Sequence, residues 1–133
     1  MGGRTERLAR AAVILIALGI PAVAAADGPS ARKVTVVASE YRFSPAELSF
    51  KRGVAYRLHI ENHGKEQHEF TAPEFFKTVR LRNPEALNAD RTEAEIPPGT
   101  AKDLFFVPRQ PGRYPLRCSD HDWAGMTGAI TVK

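Results

Sequence analysis

The stretch PGRYPLRCSDHDWAGMTGAITV, residues 111–132, indicates two β-strands joined by a short connection. Residues 114–118 and 127–132 carry the β-branched, aromatic and apolar side chains that favour strands. The connection contains the only cysteine of the chain, one of four histidines and one of two methionines: Cys118, His121 and Met126. This pattern predicts a hairpin that presents a thiol, an imidazole and a thioether at one end of a β-structure.

The rest of the chain shows the same strand signals and little helical periodicity. Residues 54–61 alternate strictly, so that Val54, Tyr56, Leu58 and Ile60 face a core. Further short strands are predicted at residues 34–37, 47–50, 92–96 and 104–107. Several short strands separated by turn residues predict an all-β sandwich. Residues 73–90 carry two prolines and irregular apolar spacing, and we expect a surface excursion with a short helical turn there.

The first 26 residues resemble a secretory signal peptide. Three arginines precede an apolar run at residues 11–20, and a run of small residues ends at Ala26. The run is about half of the roughly 20 residues that a spanning helix needs, so cleavage is favoured over an uncleaved anchor. We therefore expect one domain at residues 27–133, exported to the periplasm, with no membrane span after cleavage.

The charge of this domain argues against nucleic-acid binding. The leader holds three of the 19 basic residues and one of the 15 acidic residues, which leaves a formal charge of +2. A nucleic-acid interface needs lysines and arginines clustered on one face, and this weakly basic domain has interspersed signs instead.

A lone cysteine in an exported chain is either buried, reactive or bound to something else. Cys118 and His121 have a spacing that one tight turn can bring to the same point, and Met126 follows where the next strand begins. His68 is the natural fourth donor because it opens a strand at residues 69–70. Two imidazoles, a thiolate and a weak thioether are the donor set of type 1 copper. Structural zinc has little use for methionine, and an iron–sulfur cluster needs more cysteines. A cysteine nucleophile with a histidine base is conceivable, but the other parts of a hydrolase are not evident.

The chain resembles the cupredoxins, most of all their plastocyanin-like branch and the small periplasmic members. The resemblance covers residues 33–133. It rests on a C-terminal pattern and on an N-terminal one that begins Tyr41-x-Phe43-Ser44-Pro45 and runs through Gly53. The C-terminal pattern is Pro111-Gly112-x-Tyr114-x3-Cys118-x2-His121-x4-Met126-x-Gly128-x-Ile130-x-Val132. The resemblance implies a Greek-key β-sandwich in which one copper ion per chain cycles between Cu(I) and Cu(II).

By this resemblance the copper ligands are His68, Cys118, His121 and Met126, with His121 nearest solvent. The implied function is one-electron transfer in the periplasm by a monomer without catalytic activity, to redox partners that dock near His121. The alternative is copper handling, in which the protein binds, stores or delivers copper, or serves metal uptake, and docks copper-trafficking proteins at the same place.

Two positions depart from the cupredoxin pattern. Glu69 follows His68 where many cupredoxins have asparagine, and Asp120 stands where proline is common before the second histidine. With Glu66 and Asp122 these residues predict an acidic site, which would favour Cu(II) and lower the reduction potential.

The remaining histidines and the single tryptophan have less specific interpretations. His59 lies on the outward face of its strand and His63 lies in a turn, and we interpret both as solvated. A second metal site formed by His59, Glu61 and His63 is the less favoured alternative. Trp123 either covers the ligand loop or offers an aromatic docking surface beside His121.

Overall fold

The computed structural model describes Gly2 and residues 30–133, so the predicted signal peptide and its cleavage point lie outside the described residues, apart from Gly2. Within residues 30–133, ten strands form two five-stranded sheets. The strands of the first sheet are, in chain order, β1 (Arg32–Ser39), β2 (Arg42–Ser44), β4 (Tyr56–Asn62), β6 (Val79–Leu81) and β8 (Ala101–Pro108). Their order across the sheet is β2-β1-β4-β8-β6.

The strands of the second sheet are β3 (Glu47–Phe50), β5 (His68–Thr71), β7 (Glu93–Ile96), β9 (Gly112–Arg117) and β10 (Thr127–Val132). Their order across the sheet is β3-β10-β9-β5-β7. Most neighbours are antiparallel, but β1 pairs with β4 and β3 pairs with β10 in parallel. The predicted all-β sandwich is confirmed.

Alternating burial along the strands explains why the two sheets pack together. On β4, Tyr56, Leu58 and Ile60 are buried, and the residues between them are partly exposed. On β8, Leu104 and Phe106 are buried in the same way. These side chains join apolar residues of the second sheet in one core, which includes Phe50, Phe70, Ile96, Leu116 and Ile130. Burial of apolar surface of this kind is the main force that holds a sandwich together.

The short helical turn expected in residues 73–90 is present, but the expectation of a surface excursion was wrong, because part of the segment is buried. The segment contains a one-turn helix, α1 (Pro73–Phe76), the edge strand β6 and a 3₁₀ turn at Pro84–Ala86. Phe75 is fully buried against Phe50 and Phe106 at ring-centroid distances of 5.9 and 5.3 Å. The sequence did not predict this buried packing, because a single helical turn is too short to show a periodic pattern of apolar residues.

The β5 and β9 strands carry the predicted donors to one end of the second sheet. They run antiparallel, with Thr71 at the end of β5 opposite Arg117 at the end of β9, so the chain before Thr71 runs alongside the residues that follow β9. His68 opens β5, and Cys118 follows the last residue of β9. Within the described residues, no helix has the length and hydrophobicity that crossing a bilayer would require.

Candidate metal centre

Three of the four predicted ligands converge on one point. One ligand atom from each of His68, Cys118 and His121 lies within 4.8 Å of the others. The Cys118 Sγ lies 3.4 Å from Nδ1 of His121 and 4.0 Å from Nδ1 of His68. Both imidazoles therefore turn the same ring nitrogen towards the sulfur.

A tight turn brings Cys118 and His121 together. The His121 N–H donates to the Cys118 carbonyl at 3.2 Å, and a 3₁₀ turn at Asp122–Ala124 follows. Gly125 then has φ of 83°, a left-handed conformation that glycine adopts without steric cost. The Cys118 N–H donates to the Met126 carbonyl at 3.0 Å, which closes the loop where β10 begins.

The main chain of Met126 contacts this cluster, because its carbonyl accepts the hydrogen bond from the Cys118 N–H. The Met126 side chain is fully buried. The position agrees with the hairpin that the sequence predicts. Its role as a fourth ligand remains a prediction.

The cluster is sealed from water except at one histidine. His68 and Cys118 are fully buried, whereas the His121 side chain is 12% exposed. His121 is therefore the one of the four predicted ligands nearest to solvent, as the resemblance implied.

Glu69 contacts the cysteine sulfur in two ways. Its main-chain N–H points to Cys118 Sγ at 3.4 Å, and the thiol donates to its carboxylate Oε2 at 3.1 Å. The other carboxylate oxygen accepts a hydrogen bond from the Gln67 amide at 3.0 Å. Glu69 is itself buried, so a carboxyl group occupies the position next to the sulfur where many cupredoxins have an amide.

Two further carboxylates face the outer ring nitrogens of the histidines. Glu66 Oε2 lies 2.8 Å from His121 Nε2, and Glu40 Oε1 lies 3.4 Å from His68 Nε2. The latter contact is an ion-pair distance without hydrogen-bond geometry, so the buried His68 Nε2 has no hydrogen-bond partner among the described residues. Metal-binding histidines usually direct their other ring nitrogen to a carboxylate or a carbonyl, which leaves the inner nitrogen free for the metal.

No local sequence pattern marks Glu40, because it reaches the site from the turn between β1 and β2. Its Oε1 accepts hydrogen bonds from the main-chain N–H groups of Lys65 and Glu66 at 2.6 and 2.9 Å. These bonds hold the pKa of Glu40 below its usual value, the Glu66 N–H contributing most. Glu40 thus fixes the loop that leads into His68.

Asn62 fixes the other side of the same loop. This buried side chain donates to the carbonyls of Glu66 and Ile96, each at 2.8 Å, and accepts from the Gly64 N–H at 2.8 Å. Buried amides with their hydrogen bonds satisfied hold neighbouring segments in one arrangement. The approach to His68 is therefore determined by two side chains, Glu40 from the turn between β1 and β2 and Asn62 from the end of β4.

An aromatic surface adjoins His121. The Tyr41 ring lies 4.8 Å from the His121 ring and 5.9 Å from the Trp123 ring, measured between centroids. Tyr41 also donates to Glu66 Oε1 at 3.2 Å. Trp123 is 76% exposed, and its indole N–H donates to the Asp120 carbonyl of the ligand loop at 2.9 Å.

The acidic surroundings that the sequence predicted are present in part. Glu66 and Glu69 contact donor residues directly. Asp122 instead lies 3.8 Å from Nε of Arg117, and the Asp120 carbonyl accepts a hydrogen bond from the Trp123 indole.

The donor set fits a copper ion. Nitrogen and sulfur bound to one ion at about 2.0 and 2.3 Å stand about 3.5–3.7 Å apart, and the observed separations of 3.4 and 4.0 Å lie on either side of that value. A soft thiolate with two imidazoles favours copper or zinc over harder ions.

Burial controls the acidity of the cysteine thiol. It raises the pKa of Cys118 from 9.0 to about 11; the Glu69 N–H opposes this shift and the Glu69 carboxylate adds to it. Because the folded-state pKa is the higher one, the protonated thiol stabilises the fold below about pH 9. That contribution is lost as the pH rises towards 11.

We expect iodoacetamide to alkylate Cys118 slowly in the metal-free protein. At pH 8 the raised pKa lowers the thiolate fraction about 100-fold relative to the unfolded chain, and burial slows access further. Mass spectrometry of the folded protein and of a urea-unfolded control measures both rates. Equal rates would contradict a buried, protonated thiol.

Two imidazoles and one thiol gathered at one end of a two-sheet β-sandwich are three of the donor types of a type 1 copper site. A family model described as a cupredoxin-like domain matches residues 9–132. The chain belongs to this family.

Solved structures show the same fold at low sequence identity. Reduced auracyanin from the photosynthetic bacterium Roseiflexus castenholzii is 16% identical with a TM-score of 0.58, over 78% of this chain and 98% of that one. Auracyanin B is 21% identical with a TM-score of 0.59, over 82% of this chain and 94% of that one. Comparison with curated proteins gives no match. At these identities the likeness concerns the fold.

Proposed function

We propose that this protein is a periplasmic type 1 copper protein that carries single electrons. The observation that carries the proposal is the convergence of His68 Nδ1, Cys118 Sγ and His121 Nδ1 at one sealed strand end. Bound copper would supply a one-electron couple between Cu(I) and Cu(II). One type 1 copper ion per chain is proposed, held at this three-donor cluster.

The protein's own residues keep the donors in place. The Glu69 N–H bond to the sulfur, the Asn62 hydrogen bonds and the carboxylates on the outer ring nitrogens restrain the three donor side chains. A site held rigidly changes little when its charge changes, which favours fast electron transfer. The carboxylates also support the low reduction potential that the acidic sequence predicted.

The aromatic surface beside His121 supports a docking role. Trp123 is the one exposed large hydrophobic residue of the described chain, and it adjoins the least buried of the proposed ligands. Exposed aromatic residues are enriched where proteins dock. We therefore propose that redox partners bind at the surface formed by Tyr41, His121 and Trp123. We also propose that the protein is a monomer.

Met126 is proposed as the fourth, axial ligand. Met126→Leu should keep an intense visible band, because the thiolate and both imidazoles remain, and should raise the reduction potential, because Cu(II) loses a donor. Absorption spectroscopy and redox titration of the two proteins measure both effects. An unchanged potential and spectrum would contradict axial ligation.

Copper handling is the second candidate, because carboxylates lie beside each of the three donor residues. The two functions differ in what happens to reduced copper. An electron carrier retains Cu(I) for hours against an excess of a Cu(I) chelator while it reduces ferricyanide within seconds. A handling protein transfers its copper to the chelator quickly. Both rates can be followed optically on one sample, and rapid loss of Cu(I) would contradict the carrier function.

The protein is proposed to act in electron transfer rather than catalysis. A complete set of four ligands leaves no open position for a substrate, and metal catalysis generally requires one.

Export and cleavage are proposed from the N-terminal sequence. When the full chain is expressed and the cells are fractionated, the protein should appear in the periplasm. Its mass, measured by mass spectrometry, should be that of a chain that begins at Asp27. A membrane-bound product that begins at Met1 would contradict cleavage.

A further inference from the structure

A second group of metal-binding side chains lies on the outward face of the first sheet. His59 and Glu61 alternate along β4, and His63 continues the spacing two residues later. The structure brings them into contact: Glu61 Oε1 lies 3.2 Å from His59 Nε2, and Glu61 Oε2 lies 2.7 Å from His63 Nε2. This cluster shares no residue with the candidate copper centre.

The sequence suggested that His59 is solvated, but its side chain is only 18% exposed and one ring nitrogen contacts a carboxylate. Asp103 lies directly across from it on β8, and the Asp103 Oδ1 is 2.7 Å from His59 Nδ1. Arg57 fixes Asp103 through two hydrogen bonds of 3.0 and 2.8 Å. Burial raises the pKa of Asp103, but the hydrogen bonds and charges of Arg57 and His59 outweigh burial and hold it below its usual value.

An ionised Asp103 makes His59 Nδ1 the donor nitrogen. His59 Nε2 is then the nitrogen that faces a carboxylate oxygen of Glu61. A cation, either a proton on Nε2 or a metal ion in its place, satisfies both of these atoms. A carboxylate, then a histidine, then a cation is the order of groups found at histidine metal sites.

The separation of His59 and Glu61 suits a metal ion, and His63 completes the set by rotating, because the three side chains are not all within ligand distance of one another. Donors bound at about 2.0–2.2 Å to one ion stand about 2.9–3.4 Å apart, close to the 3.2 Å contact of His59. The shorter contact of His63 can open by rotation, because this side chain is 60% exposed. The three residues also line an open groove, with Gly99, Thr100 and Ala101 opposite.

We propose that His59, Glu61 and His63 form a second metal site that binds one divalent first-row transition ion. Two imidazoles and a carboxylate bind Zn(II) and Cu(II), and the general order of affinities places Cu(II) above Zn(II). Asp103 acts as a positioning residue through His59.

The test uses the copper-loaded protein in its reduced form, which is diamagnetic, with Zn(II) as the probe. NMR of ¹⁵N-labelled histidine follows the ring nitrogens as one equivalent of Zn(II) is added. We expect His59 and His63 to shift and saturate at one equivalent, while His68 and His121 stay unchanged. Absence of shifts at His59 and His63 with 1 mM Zn(II) would overturn the proposal.

Variants separate this site from general surface binding. Calorimetry should show that Glu61→Gln and His63→Gln each weaken Zn(II) binding at least about tenfold, and Asp103→Asn about tenfold with a changed His59 tautomer. Glu85→Gln removes an exposed carboxylate elsewhere and should leave the affinity unchanged. Equal weakening by Glu85→Gln would contradict a specific site.

The readout is specific to residues, so it is independent of the proposed function. If the first cluster failed to retain Cu(I), Zn(II) would shift His68 and His121 as well. The shifts at His59 and His63 would still decide the second site.

Discussion

Cys118→Ser is expected to abolish the intense visible absorption of the copper-loaded protein and to weaken Cu(I) binding about 1,000-fold, or about 4 kcal/mol. The thiolate is the soft donor of the proposed set, and a serine hydroxyl neither ionises near neutral pH nor prefers Cu(I). Absorption spectra and competition with a Cu(I) chelator of known affinity measure the two effects.

Ser119→Ala is the matched control for this change. Ser119 lies in the same loop, but its hydroxyl donates to Glu93 at 2.8 Å rather than to the cluster. The control should keep both the absorption band and the Cu(I) affinity. An intense band in Cys118→Ser, with the fold intact by circular dichroism, would exclude Cys118 as a ligand.

Phe106→Ala is expected to lower the free energy of unfolding by about 3–5 kcal/mol. Phe106 is fully buried between the sheets, with edge contacts to Phe50 and Phe75 at 5.2 and 5.3 Å between centroids. The cavity left by its ring removes these contacts and the burial of apolar surface. Because small domains are stable by only about 5–15 kcal/mol, this variant should unfold at much lower urea concentration.

Phe105→Ala provides the comparison from the opposite face of β8. Phe105 is partly exposed, with the Arg57 guanidinium 6.0 Å from its ring, and its loss should cost about 1 kcal/mol. Circular dichroism is the suitable probe, because the single tryptophan, Trp123, is exposed in the folded protein. Equal losses for Phe105→Ala and Phe106→Ala would contradict the arrangement of the core.

Much of the fold could be predicted from the sequence because the central strands alternate in polarity. Strands β4, β8 and β10 lie where the pattern of apolar residues placed them, with boundaries that differ by a few residues. Strands β2 and β6 were missed because three residues are too few to show alternation. Phe75 was missed as a core residue because its burial depends on tertiary packing.

The candidate site divides in the same way. Cys118 and His121 are close in sequence, so their spacing indicated a common site. The contacts of Glu40 and Tyr41 with this site join residues more than twenty positions apart, and no local pattern marks them. The contacts of Glu61 with both His59 and His63 could be identified only from the structure. Their spacing along the strand is the same whether the histidines are solvated or contact a carboxylate.

The most direct test of the central claim is a titration of the metal-free protein with Cu(II), followed by visible absorption. We predict an intense thiolate-to-copper charge-transfer band that grows linearly and saturates at one copper ion per chain. A featureless spectrum, or copper bound only weakly without such a band, would contradict a type 1 copper centre at His68, Cys118 and His121.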